Sequence, residues 1–349
     1  MSAELRAALA TIVDGGTLGF DEARLAMGSV MDGEATPSQL AALLMGLRMR
    51  GETVDELAGF ASAMRERAVR VEAPEGAIDV VGTGGDGSGT FNISTTAALV
   101  VAAAGIPVAK HGNRAITSKS GSADVLDALG IRIDHDAASA GQALRDHGFA
   151  FLFAPTFHPA MRHAGPTRKE IGVRTAFNLL GPLTNPAGAT RGLIGVGVAS
   201  AAPRVADVVA RLGTDRTFVI HGEGVDELPL DDTGVLYHVS PDGVERHEIK
   251  ASALGFKTAS TARLAGGSAQ ENARLVEGVL RGEPGVRRDV VLLNAGAALL
   301  VGGGVDQLEE GIEKAAFVID AGLATELLDT LRAERRTADT VRTTAGSAS

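Results

Sequence analysis

The chain has 349 residues, 45% hydrophobic and 22% charged, an ordinary balance for a globular protein long enough to hold two domains. Its 33 Lys and Arg stand against 43 Asp and Glu, and the net charge of −10 repels nucleic acid unless a basic patch is segregated; no basic run exists. The absence of cysteine excludes disulfides and thiolate metal sites, and one Tyr with no Trp leaves only Phe for a base-stacking platform.

Met1 to Gly16 lacks the basic start and apolar core of a secretory signal. The longest apolar run, Ala295 to Val301 after Val290 to Leu293, is too short and interrupted to span a bilayer. The expectation is a cytoplasmic enzyme with neither nucleic acid nor membrane as a partner.

The first seventy residues read as helices. Leu5, Ala8, Leu9 and Ile12 share one helix face, as do Ala23, Ala26, Met27 and Val30, then Leu40, Leu43, Leu44 and Leu47, then Leu57, Phe60, Ala61 and Met64. Thr36-Pro37-Ser38-Gln39 combines an N-cap, a first-turn proline and a capping-box Gln; Thr53-Val54-Asp55-Glu56 is a second capping box. A helical domain over 1–72 is expected, with Val71 to Gly76 as the linker out of it.

From Ala77 short apolar runs alternate with helical stretches: Ile78–Val81, Val108–Lys110, Phe149–Ala154, Gly192–Val198 and Thr217–Ile220. This predicts a mostly parallel sheet with helices on both faces, over 77–336. Val235–Val239 and His247–Lys250, around Pro241-Asp242-Gly243, read as an edge hairpin. Thr156 to Asn185 breaks the alternation with helix signal, and part of 160–190 is expected to return to the N-terminal helices. The chain after Ser268 is helical again to Arg335, and 337–349 reads as a flexible tail.

The chemistry concentrates after the first two strands. Gly82-Thr83-Gly84-Gly85-Asp86-Gly87 lets the backbone approach an anion, and Asn92-Ile93-Ser94-Thr95 opens an apolar helix whose free N–H groups favour negative charge. A plain connecting turn is the alternative, since neither the Walker nor the Rossmann spacing is present. Asp86 is unfavourable among phosphate-facing amides unless it meets a hydroxyl or a metal. Lys110-His111-Gly112-Asn113-Arg114 follows the second strand, and Ser118, Ser120, Gly121 and Ser122 continue it toward Asp124 as a second anion cradle; the alternative is a solvated corner. Asp226-Glu227, after a strand end with glycines, suits Mg²⁺ with substrate oxygens or is an acidic surface turn. His158 alone could be a helix-start residue, and Arg168-Lys169-Glu170 alone a solvated face.

Together these segments resemble the anthranilate phosphoribosyltransferase family. The pieces that carry it are Gly82-Thr83-Gly84-Gly85-Asp86, Asn92-Ile93-Ser94-Thr95, Lys110-His111-Gly112-Asn113-Arg114, His158-Pro159-Ala160-Met161, Arg168-Lys169-Glu170-Ile171-Gly172, Phe177 to Pro186 and Val225-Asp226-Glu227, over essentially residues 1–335. The sequence departs at Ala164-Gly165-Pro166-Thr167, where a more apolar helix is expected, and at Leu228-Pro229-Leu230.

The resemblance implies a small helical domain beside a large α/β domain of nucleoside-phosphorylase and phosphoribosyltransferase type, with the site in the cleft between them. It implies Mg²⁺, the substrates anthranilate and phosphoribosyl pyrophosphate, and a homodimer through the helical part. Gly82, Thr83, Gly84, Gly85, Asp86, Thr90, Asn92, Ser94, Thr95, Lys110, Gly112, Asn113 and Ser122 would bind phosphoribosyl pyrophosphate. Gly82, His111, Asn113, His158, Arg168 and Gly181 would line the anthranilate path, and Ser94, Asp226 and Glu227 would hold the metal. No residue is assigned as general base; His111 is only a candidate. A pyrimidine nucleoside phosphorylase should lack the paired acids and the His158 and Arg168 segments, and a nucleic-acid-binding relative would need a basic groove.

Overall fold

The structure is a computed structural model that describes residues 2–115, 119–222, 224–231 and 233–346, with backbone alone for 341–346. Four helices come first: α1 (Ala3–Val13), α2 (Phe20–Met31), α3 (Pro37–Arg50) and α4 (Val54–Glu66). Both expected capping boxes form: the side chain of Thr36 accepts from the N–H of Gln39, and that of Thr53 from the N–H of Glu56. The apolar stripes read from the sequence are the buried ones. Gly59 on α4 lets α2 cross closely, because a Cβ there would sit 2.8 Å from Ala23 Cβ and 2.9 Å from the Arg24 nitrogen.

The rest of the chain builds one seven-stranded sheet. In order come β1 (Ile78–Gly82), α5 (Ile93–Ala103), β2 (Val108–Gly112), α6 (Ser122–Ala128), α7 (Ala137–His147) and β3 (Phe149–Phe153). Then follow α8 (Ala154–Phe157), α9 (Gly165–Ile171), α10 (Phe177–Leu180), β4 (Arg191–Gly195), α11 (Ala202–Leu212) and β5 (Arg216–His221). The hairpin β6 (Thr233–Ser240) and β7 (Gly243–Lys250) precedes α12 (Ala269–Leu280), α13 (Val286–Val301), α14 (Leu308–Asp320) and α15 (Leu323–Gly346). The strand order is β3-β2-β1-β4-β5-β6-β7, with the first five parallel and the hairpin antiparallel at the edge. The order reverses between β1 and β4. In open sheets of this kind that reversal leaves a crevice at the carboxyl ends of the strands, where ligands bind.

Alternation along each strand assigns the two faces. Ile78, Val80, Leu193, Phe218 and Ile220 pack with α5, α6 and α12–α15. Val81, Ile194, Val196 and Val219 face the other way, into one core shared by α11, α1–α4 and the returning residues Ala164, Ala176, Phe177, Leu180 and Leu183. Arg204 on α11 meets Glu52 at 3.2 Å, and Arg65 on α4 donates to the Leu183 carbonyl at 2.6 Å. The helical unit is therefore one wall of the crevice.

At the Gly165-Pro166 departure a helix forms: the pair opens α9, where proline lacks only an N–H that the first turn leaves unused. One expectation needs correction. The flexible tail is helical as far as Gly346, because no Gly or Pro interrupts Leu323 to Ala345 and propagating a formed helix is cheap. Its last three residues, 347–349, lie outside the described residues.

Replacing Gly59 by Val should push α2 and α4 apart and cost about 1–3 kcal/mol. A urea titration reads this as a lower midpoint with unchanged slope; an unmoved midpoint would mean that the crossing is not tightly packed.

Candidate active site

The first loop after β1 is tied to its neighbours by main-chain bonds. Thr83 donates its N–H to the Gly195 carbonyl at 2.8 Å, and its hydroxyl accepts from Gly197 N at 3.2 Å, which joins the exits of β1 and β4. Gly84 donates to Asp226 Oδ2 at 2.8 Å. Gly82 must lack a side chain, because a Cβ would collide with the Asp226 carboxylate. Ser88 donates through both its N–H and its hydroxyl to Asp86, at 3.1 and 2.7 Å, and Thr90 lies 3.3 Å from the same hydroxyl.

Asp86, Asp226 and Glu227 offer carboxylate oxygens that all lie within 4.8 Å of one another. Asp86 is thus a third member of the acid group, where sequence placed only the adjacent pair with Ser94. Burial, and then the Asp86 charge, push the Asp226 carboxyl up; burial with Asp226 and Asp86 beside it pushes Glu227 well above the usual carboxylate range. Glu227 Oε2 is buried with no partner. A small cavity at this point is lined by Ser94, Gly195, Asp226, Glu227 and Asn294. Crowded acids with an orphaned oxygen fit a hard divalent cation with oxygen ligands, and Ser94 lines the same cavity.

The phosphate-side residues divide. Asn92 precedes α5, donating to Ser120 O at 3.5 Å and accepting from Asn272 at 2.9 Å. Thr95 and Ser120 have buried hydroxyls with no partner among the described residues. Gly112 lets Phe151 and the Ser122 hydroxyl close in, and Ser122 donates to the Asn113 carbonyl at 3.4 Å. Ser118 and Glu223 lie outside the described residues.

Lys110 is not where the resemblance would put it, and Arg114 is engaged within the fold. Lys110 is 2% exposed and its Nζ donates to the Val80 carbonyl at 2.5 Å, so it does not project into the loop. Burial lowers its pKa to about 8, opposed by Asp79, Glu227 and Asp226; it is the counter-charge beneath the acids. Arg114 pairs with Asp124 at 2.8 Å and Asp127 at 3.3 Å, so its charge is already engaged. A strand residue at a loop boundary points to either face, and nothing in the residue types decided which.

The second group lies on the opposite face, at the end of β2. His111 and His158 have ring centroids 5.0 Å apart, and each has a buried Nε2 without a partner. His111 Nδ1 lies 3.2 Å from the Gly181 carbonyl, which requires the proton on Nδ1 and leaves the Nε2 lone pair facing inward. Burial, with His158 adding to it, lowers the His111 pKa to about 3, and burial also lowers that of His158. Both rings are neutral at pH 7. Arg168, on α9, stacks over Phe177 at 4.7 Å and has no ion pair among the described residues.

Sequence reading missed three supports. Asp79, buried and raised to about 6, accepts from His111 N and from Asn185, whose amide also reaches the Ala109 carbonyl. Asn272 holds Asn92 from α12. Arg174 reaches the glycine loop. None of them stands in a motif, and only folding brings them near.

Two family models match the chain: a glycosyl transferase family helical bundle domain over residues 6–68 and a glycosyl transferase family a/b domain over 74–325. The anthranilate phosphoribosyltransferase of Xanthobacter autotrophicus is 49% identical over 329 residues, covering 94% of this chain and 96% of that protein. The chain belongs to the anthranilate phosphoribosyltransferase family. Among solved structures, the family member from Thermus thermophilus is 44% identical with a TM-score of 0.89, covering 94% of this chain and 99% of that one. The Saccharomyces cerevisiae enzyme in complex with PRPP and Mg is 27% identical with a TM-score of 0.88, covering 97% and 99%.

Metal binding to this acid group must displace protons that raised pKa values retain, so Mg²⁺ affinity should weaken as pH falls. Calorimetric titration in buffers of different ionisation enthalpy should show proton release at mildly acid pH; proton-neutral binding there would mean that other ligands hold the ion.

Proposed function

We propose that this chain transfers the phosphoribosyl group of phosphoribosyl pyrophosphate to the amine of anthranilate, giving N-(5-phosphoribosyl)anthranilate and pyrophosphate, with Mg²⁺, in tryptophan biosynthesis. The observation that carries this reading is that several buried polar atoms of the residues described above lack partners among the described residues: Thr95 Oγ1, His111 Nε2, Ser120 Oγ, His158 Nε2 and Glu227 Oε2. Buried polar groups without partners are costly, and a site that keeps several of them is built for a ligand. They fall into two chemically different groups, one for each substrate.

The phosphate group is the glycine turn with Thr90, Asn92, Ser94 and Thr95, and then Gly112, Asn113 and Ser122. Asp226 and Glu227, with Asp86 and Ser94, would hold Mg²⁺, which when bound would supply charge neutralisation on the leaving pyrophosphate. Lys110 balances the acids from below. The anthranilate path runs past His111, His158 and Gly181 to Arg168, whose planar fork suits a carboxylate.

Cleavage at the ribose C1 builds positive charge on the sugar and negative charge on pyrophosphate, so the chain's work is positioning and electrostatic stabilisation. The amine of anthranilate is neutral at pH 7. His111 Nε2 can accept a hydrogen bond from that amine and so orient its lone pair toward C1. Its lowered basicity argues against strong proton abstraction and supports the orienting role.

A homodimer through the helical part and a cytoplasmic location belong to the same proposal. Val13 and Met49 stand 82% and 84% exposed on the helical unit, apolar surface that a second copy would cover. The phosphorylated substrate and product do not cross membranes unaided. No helix of the described residues is long and apolar enough to span one.

Loss of anthranilate fluorescence on adding phosphoribosyl pyrophosphate and Mg²⁺ tests the activity directly; no loss would refute it. Arg168→Ala removes a charged hydrogen-bonding partner and should lower kcat/KM for anthranilate about ten- to hundredfold. Affinity for phosphoribosyl pyrophosphate, read by calorimetry, should barely change. Equal weakening of both substrates would misplace the anthranilate site.

A further inference from the structure

Arg174 has no part in the roles above. It follows Gly172, whose φ of 69° ends α9, and precedes Thr175, whose N–H is fixed by Asn178 Oδ1 at 2.9 Å. From this turn on the helical wall its Nη1 reaches across the crevice. It donates to the carbonyl of Gly84 at 3.0 Å and to that of Gly85. Among the described residues it makes no ion pair, so these two carbonyls are what its guanidinium serves.

A trans peptide sets each carbonyl antiparallel to the N–H of the next residue. Turning the Gly84 and Gly85 carbonyls toward Arg174 therefore aims the N–H groups of Gly85 and Asp86 the opposite way. Neither N–H has a protein acceptor among the described residues. The N–H of Gly84 is held in turn by Asp226 Oδ2. Gly84 and Gly85 have φ of 61° and 65°, a conformation that other residues rarely adopt. The loop is thus gripped by an acid on one side and by a guanidinium on the other, with two donors left free.

We propose that Arg174 is a positioning residue that holds the glycine loop's carbonyls so that the amides of Gly85 and Asp86 present themselves to the pyrophosphate of the substrate. This rests on the function proposed above. Arg174 stands on the turn that follows the helix carrying Arg168, so one arm serves both substrates: Arg168 by contact with anthranilate, Arg174 through the loop that takes pyrophosphate.

The test compares wild type, Arg174→Ala and Arg174→Lys in steady-state kinetics, with calorimetric titration of Mg-pyrophosphate and a thermal melt of each. In Arg174→Ala, KM for phosphoribosyl pyrophosphate should rise about tenfold or more. KM for anthranilate at saturating cosubstrate should stay put, and Mg-pyrophosphate should bind more weakly by a similar factor. Arg174→Lys keeps a charge and a donor but not the fork, and should recover part of the loss. If Arg174→Ala fails to fold, the lysine variant must still show the selective rise. An unchanged KM for phosphoribosyl pyrophosphate in a folded variant, or equal losses for both substrates, would overturn the proposal. A wild type without transferase activity would instead refute the proposed function, and the Mg-pyrophosphate titration would still read the loop.

Discussion

Everything in this molecule is arranged around a concentration of buried charge where β1 and β4 part. Asp86, Asp226 and Glu227 offer carboxylate oxygens within 4.8 Å of one another, with Lys110 beneath them and Asp79 buried within β1. Such a group is unfavourable in a folded chain without a partner, because burial removes water from each ion and like charges repel. One lysine cannot balance it. A cation would balance the arrangement, and the glycines around it leave room for a ligand to approach closely.

The helical unit matters because of where it packs. It does not fold back on itself as a separate bundle; its apolar stripes share one core with α11 and with the sheet face bearing Val81, Ile194 and Val219. The segment from Ala164 to Leu183 sends Ala164, Ala176, Phe177, Leu180 and Leu183 into that same core, and it carries Arg168, Arg174 and Gly181 to the crevice. Two loops from the sheet and one arm from the helical wall thus meet at one place. The Asp79–Asn185 contact at 2.7 Å ties the end of that arm back to β1 and β2.

The site uses opposite electrostatic environments on the two faces of the sheet. Asp226 and Glu227 keep raised pKa values, so their carboxyls hold protons more tightly than exposed acids do. The two histidines, driven neutral by burial, present lone pairs rather than charges.

The sequence by itself determined the elements, and much of the site. Period-3.6 stripes, two capping boxes and short apolar runs bounded by glycine are local signals, and the helices and strands formed where those signals stood. The loops after β1 and β2 could be read because glycine beside polar residues at a strand end has few structural uses. Asp86 was suspect for the same local reason, a carboxylate among phosphate-facing amides. What the sequence could not determine was direction and pairing. Whether Lys110 turned outward or inward depended on which face of β2 it occupied, and whether Arg114 was free depended on Asp124 and Asp127 arriving from α6. Arg174, Asn272 and Asn185 became part of the site only because segments far apart in the chain pack together. Secondary structure is written in neighbours a few residues apart, whereas a side chain's partners are set by the whole core closing around it.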